Sequence, residues 1–189
     1  MIQEQELIQK IRSGDVNAYS EIVRAYQAKV LGLCTSLLSD AAQAEDAAQE
    51  IFIKTYQSLN SFRGDSTFST WIYRISANHC KDLLRKRSRQ KTESLDALME
   101  GSDDGVSRLF EPSFDPRPSA EAAELVNKFL SALSPDERLI LTLREGQGLS
   151  YQEIAETLRC SIDAVKARLR RARQAVTENV RHFSGRQNV

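Results

Sequence analysis

The chain has 189 residues, 41% of them hydrophobic and 28% charged, with four prolines and eight glycines, a composition typical of helix-rich globular proteins rather than of fibrous or disordered ones. Lys and Arg match Asp and Glu at 26 each, so net charge signals no nucleic-acid partner and only its distribution can. Three cysteines, 34, 80 and 160, are odd in number and far apart in the chain; they exclude a disulfide framework and read as small buried hydrophobes of a reducing compartment.

No charged-then-apolar leader opens the chain and no run approaches the roughly 18 apolar residues of a membrane span, so a cytoplasmic protein without membrane insertion is expected. Residues 1–90 carry 12 basic against 10 acidic side chains, 91–120 carry 3 against 7, and 121–189 carry 11 against 9. Two mildly basic parts thus flank an acidic middle. The sharpest basic run is 81–91, with Lys81, Arg85, Lys86, Arg87, Arg89 and Lys91 against Asp82 alone.

Residues 3–13 space Leu7, Ile8 and Ile11 as a helix that stops at Gly14. Asp15 caps the next, which runs to about Leu38 with Tyr19, Ile22, Val23, Tyr26, Val30, Leu33, Cys34 and Leu37 inside. Asp40 caps a third, from Ala41 to about Asn60, with Ala44, Ala48, Ile51, Phe52 and Leu59 inside. On it Asp46, Gln49 and Glu50 share one face, a pattern that by spacing alone is more often solvated than functional.

A turn at Arg63-Gly64-Asp65 follows, and Ser66 is expected to cap a fourth helix that fades near Lys91. With about 100° per residue, Phe68, Ile72, Ile75, His79 and Leu83 fall in one stripe, and Trp71, Arg74, Asn78, Lys81 and Arg85 in another. The first stripe is what a helix buries. The second offers a stacking ring, a base-edge reader and three phosphate partners. His79 and Cys80 are adjacent, hence pointed apart, and without a second Cys/His pair; a core histidine is expected and no metal.

From Ser88 to Pro118 the chain is acidic, rich in Gly and Pro and without periodicity: a linker extended by its own charge. Helical spacing resumes at Ser119 through Leu125, Phe129, Leu130 and Leu133. Ser134-Pro135-Asp136-Glu137 is a capping box that starts a helix at Pro135, with Leu139, Ile140 and Leu143 inside and Gly146 and Gly148 at its end. Ser150-Tyr151-Gln152-Glu153 is a second box, opening a helix with Ile154, Ala155 and Leu158 inside. After a turn at Arg159-Cys160, Ser161 caps a last helix with Ile162, Val165, Leu169, Ala172, Val176 and Val180 inside. Two short capped helices so close together are the plan of a helix-turn-helix, whose second helix enters the major groove. Lys166, Arg168, Arg170, Arg171 and Arg173 on its free faces suit phosphates or guanine edges, although an arginine-rich helix is often only a solvated face. No strand pattern is found, and the fold class is all-α: two small helical domains joined by a flexible acidic linker.

Together these residues resemble the bacterial group IV, or extracytoplasmic-function, sigma factors of the sigma-70 family. The likeness covers about residues 5–90 and 119–183. It rests on Asp46-Ala47-Ala48-Gln49-Glu50 with Phe52 and Tyr56, on Phe62-Arg63-Gly64-Asp65-Ser66-Thr67-Phe68-Ser69-Thr70-Trp71 with Asn78, and on the two capping boxes with the arginine-rich last helix. The resemblance implies a sigma-2 domain at 1–90, a linker at 91–118 and a sigma-4 domain at 119–189. It further implies an alternative sigma factor, not an enzyme and without cofactor, whose partners are core RNA polymerase (its largest-subunit clamp helices and flap region), promoter DNA and an anti-sigma factor.

By the same resemblance, Asp46, Gln49 and Glu50 bind the clamp helices. Phe62, Arg63, Ser66, Thr67, Trp71, Arg74, Asn78, Lys81 and Arg85 capture the melted −10 non-template strand, with Arg87 on the neighbouring backbone. Lys166, Ala167, Arg170, Arg171 and Arg173 meet the −35 duplex. Asp163-Ala164 stands where many members have glycine and threonine, and a carboxylate there can accept from a cytosine amino group. The acidic linker would thread the polymerase cleft.

Two other readings fit parts of the chain. A helix-turn-helix regulator acting without polymerase accounts for the last helix but not for the aromatic and amide surface at 62–78. A DNA-processing enzyme would need a nucleophile beside a base or a metal-holding carboxylate cluster, and the serines and acids here are taken up by caps and surface faces.

Overall fold

The computed structural model describes residues 2–38, 40–98 and 133–186, with side chains over 4–38, 40–90 and 133–181. Most of the acidic linker and the helical pattern expected from Ser119 lie outside these residues. Seven α-helices carry the described chain: α1 (Ile2–Arg12), α2 (Val16–Leu38), α3 (Ala41–Ser58), α4 (Phe68–Leu98), α5 (Pro135–Leu141), α6 (Tyr151–Leu158) and α7 (Ile162–Arg186). Among the described residues there is no strand.

Local chemistry sets most helix starts. Asp15 accepts from the Asn17 and Ala18 amides at 3.0 and 3.3 Å, and Asp40 accepts from Gln43 at 3.0 Å. Both expected capping boxes close reciprocally, Ser134 with Glu137 and Ser150 with Glu153. One cap differs from expectation. The Thr67 hydroxyl, not Ser66, accepts from the Thr70 amide at 3.2 Å, while the Ser66 hydroxyl turns to the Thr67 carbonyl at 3.4 Å, so the helix begins one residue later. Helix α4 also runs on to Leu98, past the point near Lys91 where it was expected to fade.

The first unit packs α2 against α1, α3 and α4, and α3 against α4. Ile22, Val30, Leu33, Leu37, Ile51, Ile72 and Cys80 are buried at its centre. Each such aliphatic side chain contributes about 1.5–3 kcal/mol by leaving water. Tyr19, Val23 and Phe52 are only half-buried at the margin of the expected stripes, whereas Ala18, Ala47 and Thr55 are buried. Cys34 and Cys80, 46 residues apart in the chain, meet in this core with their sulfurs at 3.7 Å. Separation along the chain did not imply separation in space, since α2 and α4 pack side by side. Cys160 is partly exposed.

In the second unit α7 packs on α5 and α6, burying Leu139, Ile140, Leu143, Ile154, Val165, Leu169 and Ala172. The ends of the expected α7 stripe fall outside it: Ile162 and Val180 are 39% and 40% exposed, because α7 projects beyond the two short helices that cover its middle. Three residues, 159–161, separate α6 from α7, with Arg159 in the left-handed region at φ 51° and Ser161 accepting from the Ala164 amide at 3.2 Å. This is a helix-turn-helix.

Replacing Ser150 by Ala removes one cap of this motif. It is expected to lower stability by about 1 kcal/mol, measured by urea unfolding of the full chain; an unchanged midpoint would show that the box does not hold α6.

Candidate nucleic-acid interface

Three surfaces carry the residues singled out in the sequence. On α3, Asp46, Gln49 and Glu50 are exposed and share a face. The face continues into Ile53, which is not among the expected residues, and into Tyr56, named above only for the family likeness; they are 57% and 40% exposed. The signal was available: 46, 49, 53 and 56 follow helical spacing, and large apolar side chains left in water there mark a contact surface.

Glu50 also belongs to a small network that reaches from the surface to the buried His79. The Lys54 ammonium, which can only donate, lies 2.6 Å from Nδ1 of His79, so the neutral ring carries its proton on Nε2, 3.5 Å from the Glu50 carboxylate. His79 is 7% exposed, and burial, then the Lys54 charge, push its imidazole below the ordinary value against the opposing pull of Glu50 and Asp82. It is a core histidine. Among the described residues no three His, Cys, Asp or Glu side chains are grouped to hold a metal ion.

The second surface is the turn at 62–67 with the outer stripe of α4. Phe62 is buried at 8% and its ring packs on Phe68 and Trp71 with centroids 5.6 and 5.2 Å away, so it supports the turn and offers no open face. Trp71 is half-buried on this aromatic base, also 5.5 Å from Phe68. Arg63 and Asn78 are exposed. The Thr67 hydroxyl is engaged with Ser69 and Thr70, both at 2.8 Å, and Arg85 pairs with Asp82 at 3.3 Å.

Two members of the stripe face the second unit. Arg74 donates to the Glu156 carbonyl at 2.9 Å, and Lys81 pairs with Asp136 at 2.8 Å. The Lys81 hydrogen bond holds the Asp136 carboxyl below its ordinary range. Buried Tyr73, between the two stripes, donates to the Gln147 side chain at 3.0 Å, and Thr142 bonds Ser36 at 3.0 Å. Gln147 is aimed at this seam by the π-turn Thr142–Gly146 that ends α5. None of these partners could be paired from sequence, since each lies more than 50 residues away.

The third surface is α7. Lys166, Arg170, Arg173 and Arg181 line one groove with Tyr151, while Arg173 pairs with Glu145 at 2.8 Å and Lys166 with Asp163 at 3.1 Å. Ala167 is exposed beside them. Arg171 is exposed on another side of the helix, where its charge acts on Glu137, and Arg168 acts on Asp136. The fold therefore separates Arg171 from the groove that gathers Lys166, Arg170 and Arg173.

Comparison with known proteins agrees with this arrangement. The model for Sigma-70 region 2 matches residues 22–90 and that for Sigma-70, region 4 matches 119–176. The RNA polymerase sigma-H factor of Pseudomonas aeruginosa is 39% identical over 178 residues, 92% of each chain. The ECF RNA polymerase sigma-E factor of Escherichia coli is 37% identical over 181 residues, 94% of each. Two solved structures share the fold: the sigma factor RpoE with the anti-sigma factor NepR from Bartonella quintana (TM-score 0.69, 23% identity, 88% of this chain and 98% of that one), and CnrH with the cytosolic domain of CnrY (0.71, 22%, 95% and 98%).

A helical unit of the region 2 type and a helix-turn-helix of the region 4 type define a bacterial transcription initiation factor. The chain belongs to the sigma-70 family, in its extracytoplasmic-function class, and its function is to direct promoter-specific transcription initiation. Among the described residues no helix is long and apolar enough to cross a membrane.

Because folding favours the neutral form of His79, that contribution to stability is present above the ordinary imidazole value and is lost as pH falls below it. Between about pH 8 and about pH 5.5, either side of the ordinary value of about 6.5, wild type is expected to lose more stability than His79→Gln in urea titrations. Equal losses would show that the ring is not held neutral.

Proposed function

We propose that the three surfaces divide the work of initiation. Residues 1–90 act as the sigma-2 domain, 91–118 as the linker and 119–189 as the sigma-4 domain. The observation that carries this is the exposed α3 face at 46–56 standing on the same small unit as the capped turn and outer stripe of α4, with a helix-turn-helix at the other end of the chain.

Asp46, Gln49 and Glu50 supply the charged part of the contact with the clamp helices of core polymerase, and Ile53 and Tyr56 supply apolar area. At the turn, Arg63, Ser66, Thr67, Trp71 and Asn78 hold a base flipped from the −10 non-template strand. Flipping costs a few kcal/mol, and ring stacking with edge hydrogen bonds offsets it. Arg74, Lys81 and Arg85 neutralise the adjoining phosphates. In the −35 duplex, the groove side of α7, with Lys166, Ala167, Arg170 and Arg173, lies toward the bases and backbone, and Arg171 reaches the backbone from its other side.

These roles are binding and positioning; no bond is made or broken by this chain, which matches the non-enzymatic character of sigma factors. RpoE was captured with the anti-sigma factor NepR, and CnrH with the cytosolic domain of CnrY. The same kind of control, by a protein that holds the two domains, is proposed here.

Reversing charge on the α3 face tests the polymerase assignment. Asp46→Arg is expected to weaken association with core polymerase by at least tenfold with the helical circular dichroism unchanged; undiminished association would remove the assignment. For the promoter assignment, Lys81 and Asp136 must part before Lys81 meets DNA. A zero-length carbodiimide cross-link between them is expected in the free chain and should disappear in the open promoter complex. A cross-link of equal yield in both would show that Lys81 does not move to the strand.

A further inference from the structure

We propose that Arg12, the last residue of α1, is a positioning residue for strand capture: its guanidinium holds the entry to the 62–67 turn and so sets which base that turn accepts. The inference rests on the −10 reading of this turn and adds to it a side chain from outside the matched region 2, which begins at residue 22.

The geometry is specific. One nitrogen of Arg12, Nη2, donates to the Leu59 carbonyl at 3.0 Å and also to the Phe62 carbonyl. Leu59 and Phe62 are the two ends of the 3-10 turn that follows α3, and the Phe62 amide itself returns to the Leu59 carbonyl at 3.1 Å. Carbonyls at a helix C-terminus carry partial negative charge, and the Leu59 oxygen has a lone pair left beside the Phe62 amide, so the two N–H donors of one guanidinium nitrogen can meet both carbonyls with charge-assisted bonds. Arg12 can do so because Ile8 and Ile11, 3% and 7% exposed, anchor α1 to the core one turn before and beside it.

The stretch between these anchors is held mainly at its ends. At the far end Thr67 caps α4. At the near end Phe62 is fixed by its ring in the aromatic cluster and by its carbonyl on Arg12. Between them Gly64 sits at φ +81° with nothing within 4 Å of where a Cβ would stand, and the Ser66 hydroxyl has one long bond, 3.4 Å to the Thr67 carbonyl. With so few internal bonds, the direction in which Arg63 and Ser66 present themselves is decided by the two end clamps. Arg12 also borders a groove of about 630 Å³ between α1 and the turn, shared with Gln5, Gln9, Arg63 and Gly64, so rotation of the turn about its near end has room to occur once the brace is lost.

The test uses holoenzyme assembled from core polymerase and the full chain, on a pool of promoter fragments randomised across the −10 element, with opened molecules marked by permanganate and sequenced. For Arg12→Gln, opening is expected to fall about tenfold, the effect of one lost charge-assisted bond, and the base preference at the captured position to flatten. Arg12→Lys, which keeps the charge but not the fork, is expected to recover part of the rate. Affinity for core polymerase and binding of the holoenzyme to −35 duplex are expected to stay within twofold of wild type. An unflattened base preference in Arg12→Gln, or a loss of opening matched by the same loss of core affinity, would overturn the proposal. Asn78→Ala, which lies in the capture surface itself, separates this from failure of the underlying reading. Should Asn78→Ala open promoters normally, the −10 assignment is wrong. Should Asn78→Ala impair opening while Arg12→Gln does not, the assignment stands and the brace is refuted.

Discussion

Helix α4 has to be buried along one side and left available along the other, and most of the molecule follows from that division. Phe68, Ile72, Ala77 and Cys80 press its inner side into α2 and α3, while Trp71, Arg74, Asn78 and Lys81 remain on the outer side. A helix can satisfy both demands only if its polar groups in the core find local partners. Ser76 bonds back to the Ile72 carbonyl at 2.8 Å, Thr70 bonds Thr67, and His79 accepts from Lys54.

The same division explains how the two units meet. The buried apolar side chains of both units belong to one cluster, and the seam around it carries hydrogen bonds and an ion pair: Lys81 with Asp136, Arg74 with the Glu156 carbonyl, Tyr73 with Gln147 and Thr142 with Ser36. Each such bond contributes only about 0.5–1.5 kcal/mol because water can replace it, and the exposed Asp136 side of the ion pair is screened further.

Helix starts were legible because capping is decided by residues three or four apart. Asp15, Asp40, Ser134, Ser150 and Ser161 all act as read. Phe68, Ile72 and His79 of the inner stripe of α4 and the shared face of Asp46, Gln49 and Glu50 were legible for the same reason, since periodicity is a local property, whereas Ile75 and Leu83 are half-buried and Ala77 and Cys80 take the centre. Thr67 took the place of Ser66, whose hydroxyl bonds the Thr67 carbonyl instead, a choice between neighbouring hydroxyls that composition does not specify. Burial of Phe62, exposure of Ile162 and Val180, and the meeting of Cys34 with Cys80 depended on which helix covers which, and were not legible.

The sequence by itself determined that this is a two-part helical chain with a helix-turn-helix at its end and a surface of aromatic, amide and cationic side chains near its middle. Those features follow from spacings of one to four residues, over which backbone geometry is nearly invariant. Only the tertiary structure decided that Arg74 and Lys81 lie against the second unit and that Arg12 reaches the carbonyls of Leu59 and Phe62. Such pairings join groups some 50 to 80 residues apart, where no local rule of geometry operates and helix packing alone chooses the neighbours.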